Sequence, residues 1–155
     1  MCVTSPDDEN CSIARTLSVL GDRWTLLVLR EAFRDVRRFE DLQQRLGVAR
    51  DVLTVRLRRL VDEGVLERVP YREAGQRQRW EYRLTPKGLD AYPILVSLLA
   101  WGDRHKADPE GPSVVLTHAG CGAPVHTELR CEHGHAVDVH EVRPRRGPGA
   151  RPRAA

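Results

Sequence analysis

Glycines divide the first part of the chain into short segments whose apolar residues recur at helical spacing. Two such segments lie within residues 11–33, and a third, residues 39–46, ends at Gly47. A fourth, residues 50–63, ends directly before Gly64, and glycine is the residue type best suited to the left-handed position that follows a helix. Because Gly47 interrupts two helices that are close in sequence, we predict a helix-turn-helix pair.

The spacing of apolar residues changes after Gly64. Residues 65–69 and 79–84 are short and partly alternating, and the polar stretch between them, residues 71–78, carries several basic side chains. This pattern predicts a β-hairpin with a long basic tip. A helix-turn-helix followed by such a hairpin is the order of a winged helix-turn-helix domain, which is mainly α with a β-hairpin wing.

Several helix starts are marked by side chains that can accept hydrogen bonds from free backbone amides. Asn10 and Asp22 are the predicted N-caps of the first two helices. Thr85 followed by Pro86 marks a fifth helix, which we expect to run to about residue 105 and to bend at Pro93. This last helix is apolar on nearly all sides, which indicates a partner subunit because one small core cannot absorb so much apolar surface.

Basic residues are concentrated in the middle of the chain. The net charge is only +3, yet ten of the 25 lysines and arginines lie between Arg50 and Lys87, and nine of these ten are arginines. The planar guanidinium group suits phosphate oxygens and guanine edges, so we expect double-stranded DNA as the partner. The six acidic residues of the same window leave a solvated charged face as the alternative interpretation.

The fourth helix is the predicted major-groove reader. On a helical wheel, Leu53, Leu57 and Leu60 form one buried stripe. The residues predicted to meet DNA lie on the other side or at the N-terminus of this helix: Arg50, Asp51, Thr54, Val55, Arg58 and Arg59. The predicted donors from the wing, which would reach the DNA backbone or minor groove, are Arg72, Gln76, Arg77, Gln78 and Arg79.

Six motifs within residues 11–105 follow the order and spacing of a known family. They are CSIARTLSVLGDRWTLLVLRE (11–31), RFEDL (38–42), VLTVRLRRL (52–60), DEGVL (62–66), YRLTPKG (82–88) and AWG (100–102). The chain therefore resembles the HxlR family of MarR-like bacterial transcription regulators. The resemblance implies a homodimer joined through the first and last helices, and it places Thr54, Arg56 and Arg58 in the recognition helix. The sequence departs from the family at Ala49, where a capping Ser or Thr is common.

The resemblance also suggests where subunits meet and that the effector is a thiol-reactive compound or another small molecule. The residues that we assign to the dimer interface are Leu17, Leu95, Leu98, Leu99 and Trp101. Cys11 occupies a position where the family typically has cysteine, and several members are thought to sense oxidants or electrophiles. A helix start favours the thiolate, whereas the acidic residues 7–9 disfavour it. A small packing residue beneath the dimer interface is the alternative role for Cys11.

The composition of the C-terminal part predicts a second, minor unit at residues 113–142. A linker at residues 108–112 separates the domain of residues 11–107 from short predicted strands in residues 113–142, and residues 143–155 form a basic tail expected to be disordered. Within the minor unit, the spacing of Cys and His is typical of a tetrahedral zinc site. The candidate ligands are His118, Cys121, Cys131, His133 and His135. Surface histidines and unpaired thiols are the alternative interpretation.

Composition and motifs argue against several other classes of protein. The chain has no stretch of about 18 consecutive apolar residues, and its first ten residues are acidic, so we expect a cytoplasmic protein without membrane spans. The four cysteines are too few and too far apart for a disulfide scaffold. A zinc-dependent enzyme is disfavoured because the small C-terminal unit cannot close a pocket. A winged-helix adaptor that binds protein instead of DNA stays as the alternative function.

Overall fold

The computed structural model describes residues 10–75 and 77–149. Residues 1–9, which include Cys2 and nearly all of the acidic N-terminal arm predicted for residues 1–10, lie outside the described residues, as do Gln76 and the last six residues of the basic tail. The described residues form two compact units, one of residues 10–92 with Gly149 and the other of Pro93–Pro148. No helix among them is long and apolar enough to span a bilayer.

The first unit has the predicted order of helices and strands. Its elements are α1 (Ser12–Leu20), α2 (Arg23–Ala32), α3 (Phe39–Leu46), α4 (Arg50–Asp62), β1 (Leu66–Tyr71), β2 (Arg79–Leu84) and α5 (Pro86–Leu89). The two strands pair antiparallel in a register that runs from Leu66 opposite Leu84 to Tyr71 opposite Arg79. This mainly helical architecture with one hairpin confirms the predicted winged helix-turn-helix.

Local chemistry explains most of the helix ends. The side chain of Asp22 accepts hydrogen bonds from the backbone amides of Trp24 and Thr25, and Thr85 accepts one from Gly88. Gly64 has a φ angle of 67°, the left-handed geometry predicted for it, and Gly47, the predicted turn, has a φ angle of 60°. The prediction for Asn10 is wrong. Cys11 is the N-cap of α1, and its side chain makes no capping hydrogen bond.

The core of the first unit lies between α2, α3, α4 and the start of β1. The fully buried leucines are Leu29, Leu42, Leu53, Leu57, Leu60 and Leu66. A carboxylate is buried with them, because Glu31 is only 1% exposed and its oxygens lie 2.8–3.5 Å from the guanidinium groups of Arg30, Arg34 and Arg45. Three arginines therefore compensate the charge that Glu31 carries into the core.

The last predicted helix is divided in two. After α5, the chain turns at Asp90 and restarts as α6 (Tyr92–Lys106), so Pro93 lies in the first turn of a new helix instead of bending a continuous one. A continuous helix would bring the Pro93 ring against the carbonyl of Leu89, four residues earlier. At the start of α6 the missing amide of Pro93 costs no hydrogen bond.

The segment after α6 contains tight turns instead of the predicted strands. Isolated bridges join Thr117 to Pro124 and Arg130 to Ala136, and a short 3-10 turn spans Val139–Glu141. None of residues 107–149 is buried. The short strands predicted for residues 113–142 therefore do not form an extended ladder. A ladder of this kind needs a face that packs against a core, and this segment has none.

Candidate nucleic-acid interface

The outward face of α4 has the composition of a groove-reading surface. Asp51, Thr54, Val55 and Arg58 are all exposed, and the leucine stripe on the opposite side of the helix is buried as predicted. The guanidinium of Arg58 forms no hydrogen bond or ion pair with any residue in the ranges 10–75 and 77–149. Arg58 is therefore available to a partner from outside the chain.

Two other arginines of α4 are engaged within the protein. Arg59, predicted to contact DNA, donates a hydrogen bond to the backbone carbonyl of Ser18 in α1. Arg56 forms an ion pair with Asp22 at 3.0 Å and is half-buried. Arg59 is exposed, and its long side chain reaches another helix, so its assignment to the DNA-facing set stays a prediction. Arg56, which the family resemblance placed in the recognition helix, lies in that helix but binds the N-cap of α2.

The N-terminus of α4 is open to solvent. Ala49 is its N-cap and supplies no side-chain hydrogen bond, so the first amides of the helix have no capping side chain. The guanidinium of Arg50 lies 4.6 Å from the centre of the Phe39 ring at the start of α3. This contact holds a positive charge beside the positive end of the α4 dipole, a combination that favours a phosphate group.

The hairpin is attached to the start of α3. The amide of Tyr82 donates to the carbonyl of Arg37 at 2.8 Å, and Arg38 pairs with Glu81 in an isolated bridge. The side chain of Arg38 lies 4.6 Å from the ring centre of Tyr71 and forms an ion pair with Glu73 at 2.8 Å. Desolvation, the largest single effect, lowers the pKa of Arg38, but the charges of Tyr71, Glu73 and Asp41 and the hydrogen bond to Glu73 together raise that pKa above its ordinary value. Arg38 thus positions the wing.

The wing presents basic side chains beyond this attachment. Arg72, Arg77 and Arg79 are exposed, as the sequence predicts. Sequence reasoning missed Arg68, whose guanidinium lies 4.5 Å from the ring centre of the half-exposed Trp80. It also missed the role of Arg38, for which the only sequence signal is its place directly before Phe39 in the RFEDL motif. The hairpin therefore carries more cationic surface than its tip alone.

Helices α1 and α6 both expose large apolar side chains. In α1, Ile13 is 71% exposed and Leu17 is 59% exposed. In α6, Leu98 is 48% exposed and Trp101 is 58% exposed, whereas Leu95 and Leu99 are half-buried. Neither helix contains a buried residue. Of the residues predicted at a dimer interface, three are therefore exposed in the single chain and two are partly covered.

The candidate sensing and metal-binding residues are only partly brought together. Cys11 is half-buried at the start of α1. In the second unit, Nδ1 of His118 lies 3.2 Å from Sγ of Cys121, and the rings of His133 and His135 are 6.4 Å apart. Across the described parts of the chain, no three His, Cys, Asp or Glu side chains form a group that could hold a metal ion. The predicted tetrahedral set is not assembled in this arrangement.

Comparison with known proteins decides the family. Residues 19–110 match the family model described as HxlR-like helix-turn-helix. The chain belongs to the HxlR-like family. It is 44% identical to the uncharacterised HTH-type transcriptional regulator Rv3095 of Mycobacterium tuberculosis over 148 residues, which are 95% of this chain and 92% of that protein. Members of this family are DNA-binding regulators of transcription, and the relative is named accordingly.

Solved structures extend the similarity to the fold. PA1607, a candidate transcription factor, superposes with a TM-score of 0.80 at 38% identity and covers 93% of this chain and 100% of its own. The redox regulator HypR in its reduced form superposes with a TM-score of 0.54 at 26% identity, covering 61% of this chain and 92% of its own. The match with PA1607 thus extends over nearly the whole HxlR-like chain, and the match with HypR over about three fifths of it.

Proposed function

We propose that this HxlR-like protein is a homodimeric regulator that acts in the cytoplasm and recognises a specific sequence in double-stranded DNA. In this proposal α4 enters the major groove, and the hairpin lies along the neighbouring backbone or minor groove. The outward face of α4 carries the proposal. Its exposed side chains, Asp51, Thr54, Val55 and Arg58, are of types that read base edges, and Arg58 has no partner in the described residues.

Each contact has a chemical assignment. Arg58 can form two parallel hydrogen bonds with O6 and N7 of a guanine, and the carboxylate of Asp51 can accept from the amino group of a cytosine. Arg50 and the uncapped amides beside it suit a phosphate, which would fix the position of α4 in the groove. Arg72, Arg77 and Arg79 would add phosphate contacts from the wing.

A homodimer would cover the exposed apolar side chains of α1 and α6. Leu17, Leu98 and Trp101 are each about half or more exposed, which is unfavourable for side chains of this size in water. Two copies related by a twofold axis present two identical recognition helices. Their operator is then a pseudo-palindrome with half-sites about one helical turn apart.

Cys11 is the residue that we propose for sensing a thiol-reactive signal. It is the N-cap of α1, one of the two helices assigned to the dimer, and a similar fold belongs to the redox regulator HypR. Modification of Cys11 would shift α1 and change the spacing of the recognition helices. The test is an operator titration with and without diamide on the wild type and on Cys11→Ser, with Cys121→Ser as control. Equal loss of binding in all three proteins would contradict this role.

Zinc binding by the second unit stays a prediction. It is favoured by the two tight turns that carry the Cys and His side chains, and by the lack of any buried residue among residues 107–149. The described geometry does not bring three ligands together. Metal analysis of protein purified without chelators tests the prediction. Less than about a tenth of an equivalent of zinc per chain would count against it.

Recovery of bound duplexes from a random pool tests the proposed function. We expect enrichment of one pseudo-palindromic sequence, and binding to it that weakens steeply as the salt concentration rises because phosphate contacts release counterions. A scrambled duplex of equal length and composition is the control. Failure to enrich any sequence, with no dependence on salt, would favour a winged-helix adaptor that binds protein instead.

A further inference from the structure

Val55 is an exposed apolar residue in the middle of the polar face of α4. It is 55% exposed, whereas Leu53, Leu57 and Leu60 in the same helix are at most 1% exposed. Its position is therefore not explained by the core of the first unit. A β-branched residue also has a lower helix propensity than most polar residues that would suit a solvated surface.

The neighbours of Val55 place it at the centre of the groove-reading surface. Asp51 lies four residues before it and Arg58 three residues after it, so the three side chains follow one another along one face of the helix. The hydroxyl of Thr54 donates to the carbonyl of Arg50 at 2.7 Å, so its proton is already used within α4. Val55 thus contributes the main apolar surface between a carboxylate and a guanidinium.

We propose that Val55 recognises the 5-methyl group of a thymine in each half-site. This inference rests on the proposed function, because it requires α4 to lie in the major groove. Thymine is the only one of the four bases that presents a methyl group there, and apolar side chains recognise it by contact. Val55 has no hydrogen-bond donor or acceptor in its side chain, so it favours this base by burying apolar surface against the methyl group.

Replacement of thymine by deoxyuridine tests the contact, since deoxyuridine keeps the pairing and hydrogen-bonding edges of thymine and lacks only the methyl group. The preferred duplex is first recovered from a random pool, and each thymine of one half-site is then replaced singly. We expect one replacement to weaken binding about fourfold, the value for losing the burial of one methyl-sized group.

Val55→Ala and Val115→Ala make a matched pair of variants. Val115 is 59% exposed, close to the value for Val55, but lies in the second unit outside the helix-turn-helix. With Val55→Ala, the penalty for deoxyuridine should fall below about twofold, whereas Val115→Ala should keep the wild-type penalty. Because both side chains are exposed, both variants should unfold at the wild-type temperature, and the thermal melts check this.

The outcomes separate this inference from the proposed function. A preferred duplex in which no deoxyuridine replacement weakens binding, a half-site without thymine, or a penalty that persists in Val55→Ala would each overturn the role of Val55 and leave the DNA-binding function intact. Failure to recover any preferred duplex would overturn both.

Discussion

One carboxylate, that of Asp22, joins the start of α2 to the recognition helix. One oxygen accepts from the amides of Trp24 and Thr25, and the other forms the ion pair with Arg56 of α4. Asparagine caps a helix about as well as aspartate, so the two roles can be separated by substitution.

We therefore expect Asp22→Ala to lower the free energy of unfolding by about 1–2 kcal/mol, because it loses the cap and the ion pair together. Asp22→Asn should cost less than about 1 kcal/mol, because a partly exposed ion pair contributes little. Urea unfolding of both variants measures the difference. An equal cost in both would show that the ion pair, and not the cap, is the main contribution.

Gly88 and Gly47 are required for different reasons. A Cβ atom on Gly88 would lie 2.2 Å from the carbonyl oxygen of Val65, whereas one on Gly47 would meet nothing within 4 Å but would have to adopt a φ of +60°. Gly88→Ala should cost about 2–3 kcal/mol because backbone must move, and Gly47→Ala about 1 kcal/mol. Thermal unfolding compares the two, and a larger loss for Gly47→Ala would contradict the close approach of α5 to Val65.

Apart from the cap assigned to Asn10, the helix ends marked by capping side chains and glycines were predictable from the sequence because their chemistry is local. Asp22, Thr85, Gly47 and Gly64 act within a few residues of themselves, so pattern alone identified them. Arg59 is different. A helical wheel gives the direction in which a side chain leaves its own helix. It cannot show that the Arg59 side chain lies within reach of a backbone carbonyl in α1. Distant partners of this kind are set by the tertiary fold.

Other parts of the site were unpredictable for a similar reason. The role of Arg38 depends on Tyr71 and Glu73, more than thirty residues away. Arg45, which lies in another helix, is one of three arginines that compensate the buried Glu31, and an acidic residue in an amphipathic helix is ordinarily expected to face solvent. The outward set on α4, by contrast, was predictable because the leucine stripe fixes which side of the helix is buried.

The attachment of the wing makes a testable prediction for Arg38. Arg38→Ala removes the ring contact with Tyr71 and the ion pair with Glu73, so the hairpin should move more freely relative to α3. We expect faster hydrogen exchange of the Tyr82 amide and weaker binding to all duplexes, with an unchanged base preference. Arg68→Ala, which removes a contact within the hairpin, is the matched control for the exchange measurement and should leave the Tyr82 amide at its wild-type rate. Unchanged exchange at Tyr82 would contradict the positioning role.

The proposed function requires two copies of the whole molecule related by a twofold axis. Leu98→Glu puts a charge on the exposed side of α6, which should leave the single chain folded and break the dimer. Val139→Glu, at a residue 67% exposed in the C-terminal segment, is the control and should stay dimeric. Sedimentation velocity at micromolar concentration distinguishes the two. A wild-type monomer that binds its operator fully would contradict the dimer.

The most direct measurement compares Arg58→Ala with Arg77→Ala on the preferred duplex and on single-base variants of it. If α4 reads bases and the wing contacts phosphates, Arg58→Ala should cost about 1–3 kcal/mol of binding free energy and relax the preference at one base pair. Arg77→Ala should weaken binding to every duplex alike and flatten the dependence on salt concentration. A change of base preference in Arg77→Ala with none in Arg58→Ala would contradict the account.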